Sequence, residues 1–299
     1  MSNPIFRGAA TAIITPMKEN SIDYEAYGKL IDWQLSEGIN AIVAAGTTGE
    51  GSTLTDEEHR EVIRYTVERV AGRVPVIAGT GSNDTAYAID LTRFSCEVGA
   101  DAMLVVSPYY NKATQNGLIK SFTAIADASD KPIILYNVPS RTGCNILPKT
   151  AAALAEHPMI TAMKEASGNI SQIAELAALT RGKMDIYSGN DDQIVPVLSL
   201  GGQGVISVLS NVMPRATVEI CDRFFKGDVA GSCTMQLDLL PLINALFSEV
   251  NPIPVKAAMR MIGMDCGDCR MPLDGLTDEN ARKLRSCLDE LEISAYNKV

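Results

Sequence analysis

The sequence predicts an α/β protein, a (β/α)8 TIM barrel with a C-terminal helical appendage, on three observations. Short apolar, β-branched runs alternate with longer segments patterned for helices, and there are eight such runs. Most runs are nearly continuous in apolar residues, as parallel strands covered on both faces require. After Leu209 the runs cease and only helical patterning remains.

The eight runs are Ala9–Ile14, Ala41–Ala45, Val74–Ala78, Ala102–Ser107, Pro132–Asn137, Ile160–Glu165, Met184–Ser188 and Gly204–Leu209. Their starts lie roughly 20 to 33 residues apart, the spacing of repeated βαβ units with right-handed crossovers. Eight such units close a barrel rather than a doubly wound sheet. Between the first two runs a helix begins near Asp23, with Tyr27, Leu30, Ile31 and Leu35 as its apolar stripe and Gly38 as its stop. Thr55 and Glu58 then form a capping-box pattern, followed on one face by Val62, Ile63, Val67 and Val70 and stopped at Gly72. Asp84 caps a third helix whose stripe is Ala88, Leu91, Phe94 and Val98. Beyond the last run, Asn211–Lys226 reads as the eighth barrel helix, and Asp228–Glu249, Pro254–Ile262 and Thr277–Ile293 read as further helices. The expected division is a catalytic barrel over 1–226 and a helical unit over 227–299, with no low-complexity linker between them.

The formal net charge of -10 argues against a nucleic-acid partner, which needs a basic surface. No segment approaches the roughly 18 consecutive apolar residues of a membrane helix, and the first residues, MSNPIFRGAATAIITP, lack the pattern of a secretory leader. Seven scattered cysteines suggest reduced thiols and a cytoplasmic location. Cys266 and Cys269 form a single CxxC with no second pair, and His59 and His157 lie far away in sequence, so neither a metal nor a redox role is assigned.

In such barrels chemistry lies at the carboxyl ends of the strands. There the sequence puts Gly46-Thr47-Thr48-Gly49-Glu50, Ser107-Pro108-Tyr109-Tyr110-Asn111, Tyr136-Asn137, Lys164-Glu165 and Ser188-Gly189-Asn190-Asp191. Lys164 is the unusual member, because a lysine ending an apolar strand is partly desolvated, which disfavours the ammonium form. A neutral amine is a nucleophile that condenses with a ketone to a Schiff base. The alternative is a lysine that snorkels to the rim and pairs with Glu165. Tyr136, one strand over, has the chemistry of a proton shuttle with a hydroxyl relay through Thr47 or Thr48, although a strand tyrosine also packs cores. The turn Gly46–Gly49 offers N–H groups and hydroxyls to a carboxylate. No G-x-G-x-x-G opens a helix after a strand, which argues against a dinucleotide site.

Taken together, these residues resemble the dihydrodipicolinate synthase family, within the class I pyruvate-dependent aldolase and lyase superfamily. The likeness runs from Gly8 to about Leu291 and is carried by Gly46–Glu50, Tyr136–Gly143, Lys164-Glu165 and Asn251–Lys256. The resemblance implies a lyase with no cofactor, in which Lys164 forms an imine with pyruvate. The derived enamine attacks L-aspartate 4-semialdehyde to give 4-hydroxy-tetrahydrodipicolinate, in diaminopimelate and lysine biosynthesis. It further implies that Tyr136, Thr47 and Tyr110 relay protons, and that Thr48, Gly189 and Ile206 receive pyruvate. By the same resemblance Arg141 takes the semialdehyde carboxylate, for which a guanidinium is suited. The matching Tyr110 reaches a neighbouring subunit's site, which implies a homotetramer, a dimer of dimers, with Tyr109 at the interface.

N-acetylneuraminate lyases and 2-keto-3-deoxy sugar-acid aldolases share the lysine, but Ser140-Arg141-Thr142-Gly143 looks like the synthase. A cationic contact suits a short substrate with its own carboxylate, whereas a polyhydroxylated aldehyde wants hydroxyl-binding groups. Gly51, Ser52, His59, Asn83 and Tyr109 match an inhibitory lysine site in the family. Tyr87 stands where lysine-sensitive members tend to carry an acidic residue, and Asp56 also departs from their pattern, so weak or absent inhibition is expected.

Overall fold

In the computed structural model, which describes residues 3–19, 21–291 and 293, the eight apolar runs pair as one closed parallel barrel. In chain order the strands are β1 (Gly8–Ala12), the short β2 (Met17–Lys18) and β3 (Ser21–Ile22), β4 (Ala41–Ala44), β5 (Val76–Gly79), β6 (Ala102–Val106), β7 (Ile133–Asn137), β8 (Ile160–Glu165), β9 (Asp185–Ser188) and β10 (Gly204–Ser207). β1 pairs with both β4 and β10 and closes the ring, while β2 and β3 form a small antiparallel hairpin outside it. That hairpin is absent from the sequence expectation, because two residues per strand are too few to show a period.

The helices are α1 (Tyr24–Ser36), α2 (Asp56–Val70), α3 (Thr85–Glu97), α4 (Gln115–Asp127), α5 (Pro139–Thr142), α6 (Pro148–Leu154), α7 (Ile170–Leu179), α8 (Ile194–Ser199), α9 (Pro214–Phe225), α10 (Val229–Asp238), α11 (Leu240–Leu246), α12 (Ile253–Met261) and α13 (Asp278–Glu290). Asp23 caps α1, the Thr55–Glu58 box caps α2 with both of its bonds present, and Asp84 caps α3. The left-handed stop of α2 falls on Ala71 as well as Gly72.

Two expected helices take a different form. The segment 228–249 is two helices, α10 and α11, with a 48° bend between them. Pro241 sits in the first turn of α11, where a ring without an N–H cannot continue the preceding ladder. The segment 211–226 begins its helix only at Pro214, since Asn211 belongs to a 3₁₀ turn (Leu209–Asn211). The Asn211 side chain is spent on the barrel, accepting from Ile14 N and donating to Ala12 O. Among the described residues no single helix is long and apolar enough to cross a membrane.

Burial divides into two shells, as strand alternation requires. Ala10, Val43, Ile77, Leu104, Ile134, Ala162 and Ile206 fill the barrel interior. Ala9, Ile42, Ala78, Met103, Leu135 and Met163 face the helices. Buried across the carboxyl end lies the ion pair of Glu50 and Lys256, which joins the β4 loop to α12.

Candidate active site

Alternation along β7 and β8 decides which side chains enter the barrel. Tyr136 shares the interior with Ile134, and Lys164 shares parity with Ala162; the two are register partners in adjacent strands. Lys164 is 6% and Tyr136 7% exposed, and Lys164 Nζ lies 4.3 Å from the Tyr136 ring centroid. The rim pairing of Lys164 with Glu165 does not occur. Glu165 points the other way, where its carboxylate accepts from Ser167 N at 2.7 Å and Asn137 Nδ2 at 3.0 Å.

Lys164 opens on a cavity of about 320 Å³ at the carboxyl end of the barrel. Thr47, Thr48, Tyr136, Arg141 and Gly189 line it, so five of the expected catalytic and substrate residues converge there with Lys164. Thr48 Oγ1 accepts from Asn251 Nδ2 at 3.0 Å, which leaves the threonine proton available to a carboxylate. Arg141 rides on α5, exposed, with Nη2 donating to Asn251 O at 3.2 Å. At Gly189 an added Cβ would lie 2.6 Å from Ala166 Cβ and 3.1 Å from Lys164 Cε, so glycine keeps the space the lysine occupies.

Two expected residues lie elsewhere. Ile206 is fully buried in the barrel interior below the cavity, and Val208 lines the wall instead. Tyr110 is 89% exposed at a positive φ of 72° beyond β6, outside the cavity.

Other contributors were not among the expected site residues, although Asn251 and Asp191 lie in stretches that the sequence singles out. Phe247, Glu249, Val250 and Asn251, between α11 and α12, roof the cavity; a helix-to-helix connection reaches a barrel mouth only through tertiary folding. Asp191 is 1% exposed, and its Oδ2 accepts from Val208 N and Leu209 N at 3.0 and 2.9 Å, tying the β9 loop to the β10 loop. Burial pushes this carboxyl up from its ordinary range.

A second cavity, about 560 Å³, shares Thr47, Tyr136 and Arg141 with the first and extends to Ser52, Asp56, His59, Tyr87 and Tyr109. His59 Nε2 meets Gly79 O at 2.8 Å, and burial lowers its pKa, which favours the neutral ring with the proton on Nε2. Burial first and Asp56 second push the Tyr87 hydroxyl up to about 12. Asn83 stands beside this cavity, its carbonyl accepting from Asn111 Nδ2 at 2.9 Å. A third cavity, about 740 Å³, lies at the opposite end around Thr161, Arg181 and Asp185, away from the face where barrels do chemistry. Cys266 and Cys269 are free thiols that burial pushes up to about 11 and about 12, so both are protonated and poor nucleophiles near neutrality.

Comparison with known proteins places the chain in one family. Residues 5–291 match the model of the dihydrodipicolinate synthetase family. A 4-hydroxy-tetrahydrodipicolinate synthase of Lachnoclostridium phytofermentans is 59% identical over 282 residues, covering 94% of this chain and 96% of the relative. The crystal structure of dihydrodipicolinate synthase from Aquifex aeolicus superposes with a TM-score of 0.95 at 45% identity, covering 98% of this chain and all of that one. The Cyanidioschyzon merolae enzyme, solved with lysine bound, gives 0.95 at 40% identity over 97% of this chain and all of that one.

Proposed function

The chain belongs to the dihydrodipicolinate synthetase family, and from that premise we propose how its residues carry out the reaction. It is a lyase of the aldolase type, a 4-hydroxy-tetrahydrodipicolinate synthase of the lysine and diaminopimelate route. The observation that carries the mechanism is Lys164 Nζ, unpaired with Glu165 and 4.3 Å from the Tyr136 ring, opening on a cavity with a hydroxyl and a guanidinium.

In the proposed cycle the Lys164 amine adds to the pyruvate ketone and loses water to give a protonated imine. Thr48 and the turn behind it hold the pyruvate carboxylate through hydroxyl and N–H donors, above Gly189 and Ile206. The iminium withdraws electrons, a methyl proton leaves, and the enamine carbon attacks the aldehyde of L-aspartate 4-semialdehyde. Tyr136 and Thr47 pass protons to and from the reacting oxygen and nitrogen. Arg141 holds the second substrate's carboxylate by paired N–H donors. Transfer of the amine of the second substrate to the former imine carbon closes the ring and frees Lys164. No cofactor is needed, because the lysine imine is the electron sink.

Tyr110, 89% exposed, completes the relay of a neighbouring copy in a homotetramer, with Tyr109 at the contact. Residues 1–226 act as the catalytic barrel, and 227–299 as an appendage whose Phe247–Asn251 segment closes the mouth. The enzyme works in the cytoplasm, where thiols stay reduced. Ser52, His59, Asn83 and Tyr109 mark a regulatory lysine site that Tyr87 weakens.

The test is borohydride reduction with pyruvate followed by peptide mass spectrometry. An adduct on Lys164 is expected; no adduct, or one on another lysine, overturns the mechanism. Turnover of aspartate semialdehyde rather than N-acetylneuraminate then separates the synthase from its lyase relatives.

A further inference from the structure

Behind the two residues that carry the chemistry, on the outer face of the same strands, lies a polar cluster the reaction does not touch. Asn137 is fully buried and Glu165 is 1% exposed; they are register partners one step beyond Tyr136 and Lys164. Every polar atom in this pair has an assigned direction. Asn137 Oδ1 accepts from Ile146 N at 2.9 Å, so its Nδ2 must face the other way. That Nδ2 spends its two protons on Glu165 Oε2 at 3.0 Å and Asn145 Oδ1 at 2.8 Å. Glu165 Oε1 accepts from Ser167 N at 2.7 Å, and the side chains of Ser167 and Gln172 also hydrogen-bond the carboxylate. Both carboxyl oxygens therefore face donors, and an acid proton on either would meet a donor. The outer end of the cluster is an amide pair, with Asn145 Nδ2 donating to Gln172 Oε1 at 2.8 Å and Gln172 Nε2 donating to Asn145 Oδ1 at 3.1 Å.

The backbone shows why a side-chain pin is useful at this point. The β7–β8 ladder shifts register between Ile133 and Ile134, so regular pairing is interrupted at its amino end. The carboxyl end, where Lys164 and Tyr136 must meet, is held by this cluster and by Glu165 O accepting from Gly189 N at 2.8 Å.

We propose that Glu165 and Asn137 are positioning residues, a cross-strand clamp that sets the approach of Lys164 to Tyr136 and requires an anionic acceptor at position 165. The proposal rests on the Schiff-base reading above.

The clamp makes a sharp prediction about isosteric changes. In Glu165→Gln the amide oxygen stays on Ser167 N–H, which turns the NH₂ toward Asn137 Nδ2, donor against donor. Asn137 cannot invert, since that would put its NH₂ against Ile146 N–H. Glu165→Gln should lower kcat about 10- to 100-fold, the scale of a misplacement of about 1 Å, with the pyruvate KM within about threefold. Asn137→Asp alone sets two carboxylates together and should be impaired as well. With both changes, the new carboxylate at position 137 accepts from the new amide at position 165. The Asn145–Gln172 pair then turns over to present Asn145 Nδ2 to that carboxylate. The double variant should therefore recover most of the lost kcat.

The four chains are compared by kcat, pyruvate KM and thermal midpoint. A selective loss of kcat in Glu165→Gln, with recovery in the double variant, supports the clamp. A Glu165→Gln kcat within about twofold of the parent, a loss that merely follows unfolding, or a double variant no better than the single overturns it. If Glu165→Gln does not fold, the double variant decides: folded with kcat within about tenfold of the parent supports the clamp, and anything lower overturns it. Borohydride trapping on the parent separates the two readings. No adduct there removes the Schiff-base reading, whereas an adduct in the parent with unaffected Glu165→Gln turnover removes only the clamp.

Discussion

Lys256→Met removes an ammonium whose three protons are all in use. Its Nζ donates to Glu50 Oε1 at 2.7 Å, Asp268 O at 2.8 Å and Thr15 O at 3.2 Å, with both members of the ion pair 1% exposed. Methionine replaces the stem as far as Cε but donates nothing. Glu50 would then keep one donor, Arg270 N to Oε2 at 2.8 Å, for a buried negative charge, and two carbonyls would lose their partner. Breaking one side of a buried pair costs about 3–5 kcal/mol. For a chain of 299 residues, an unfolding entropy of about 2.1 cal/mol/K per residue turns that cost into a fall of about 5–8 °C in Tm. The assay is thermal unfolding by circular dichroism at matched protein concentration, because assembly also moves Tm. Glu50→Gln added to Lys256→Met discharges the orphaned carboxylate and should restore at least about half of the fall. A single-variant loss under about 2 °C, or a double variant no more stable than the single, would refute the account of this pair as the tie between the β4 loop and α12.

Four shorter predictions concern the site. Gly189→Ala should lower kcat/KM for pyruvate at least about 100-fold, since its Cβ would lie 2.6 Å from Ala166 Cβ and 3.1 Å from Lys164 Cε; steady-state kinetics showing a fall under about threefold would contradict the packing. Tyr136→Phe should reduce kcat by about 100- to 10,000-fold with unchanged circular dichroism, and unaltered turnover removes the tyrosine from the relay. L-lysine should inhibit weakly or not at all in a coupled assay, because a phenol bonded to Asp56 stands at Tyr87; sub-millimolar inhibition overturns this. His59 has its pKa lowered by burial from 6.5, so the unfolded chain takes up its proton first and the folded state loses stability as pH falls below about 6.5. Measured from pH 7.5 down to 5.5, Tm should fall further in the parent than in His59→Gln, and parallel curves would exclude that linkage.

Much of this architecture is legible in the chain. Eight apolar runs specified eight strands, because a parallel strand covered on both faces must be apolar nearly throughout, a local property of the residues themselves. Asp23, Thr55 and Asp84 specified helix starts for a similar reason, since a cap bonds to backbone only two or three residues away. Strand parity also sent Lys164 and Tyr136 inward once the strands were in place.

What the chain by itself left open is whatever depends on two distant segments meeting. Lys164 and Glu165 are adjacent, and nothing local distinguishes a rim ion pair from a nucleophile. The fold removes the ion pair, turning Glu165 outward to Ser167 and Asn137. Asn251 reaches Thr48 across 203 positions, and Lys256 reaches Glu50 across 206; neither contact has a periodic signal, because periodicity records the face of an element and not its partner. Asp191 looked like one more polar residue at a strand end until burial against Val208 and Leu209 made it a tie between loops. Composition and spacing determined a barrel with a lysine at its working face. Only the closed barrel, with α11 and α12 folded over its mouth, decided which groups surround that lysine, since strand ends far apart in the chain converge only when the sheet closes.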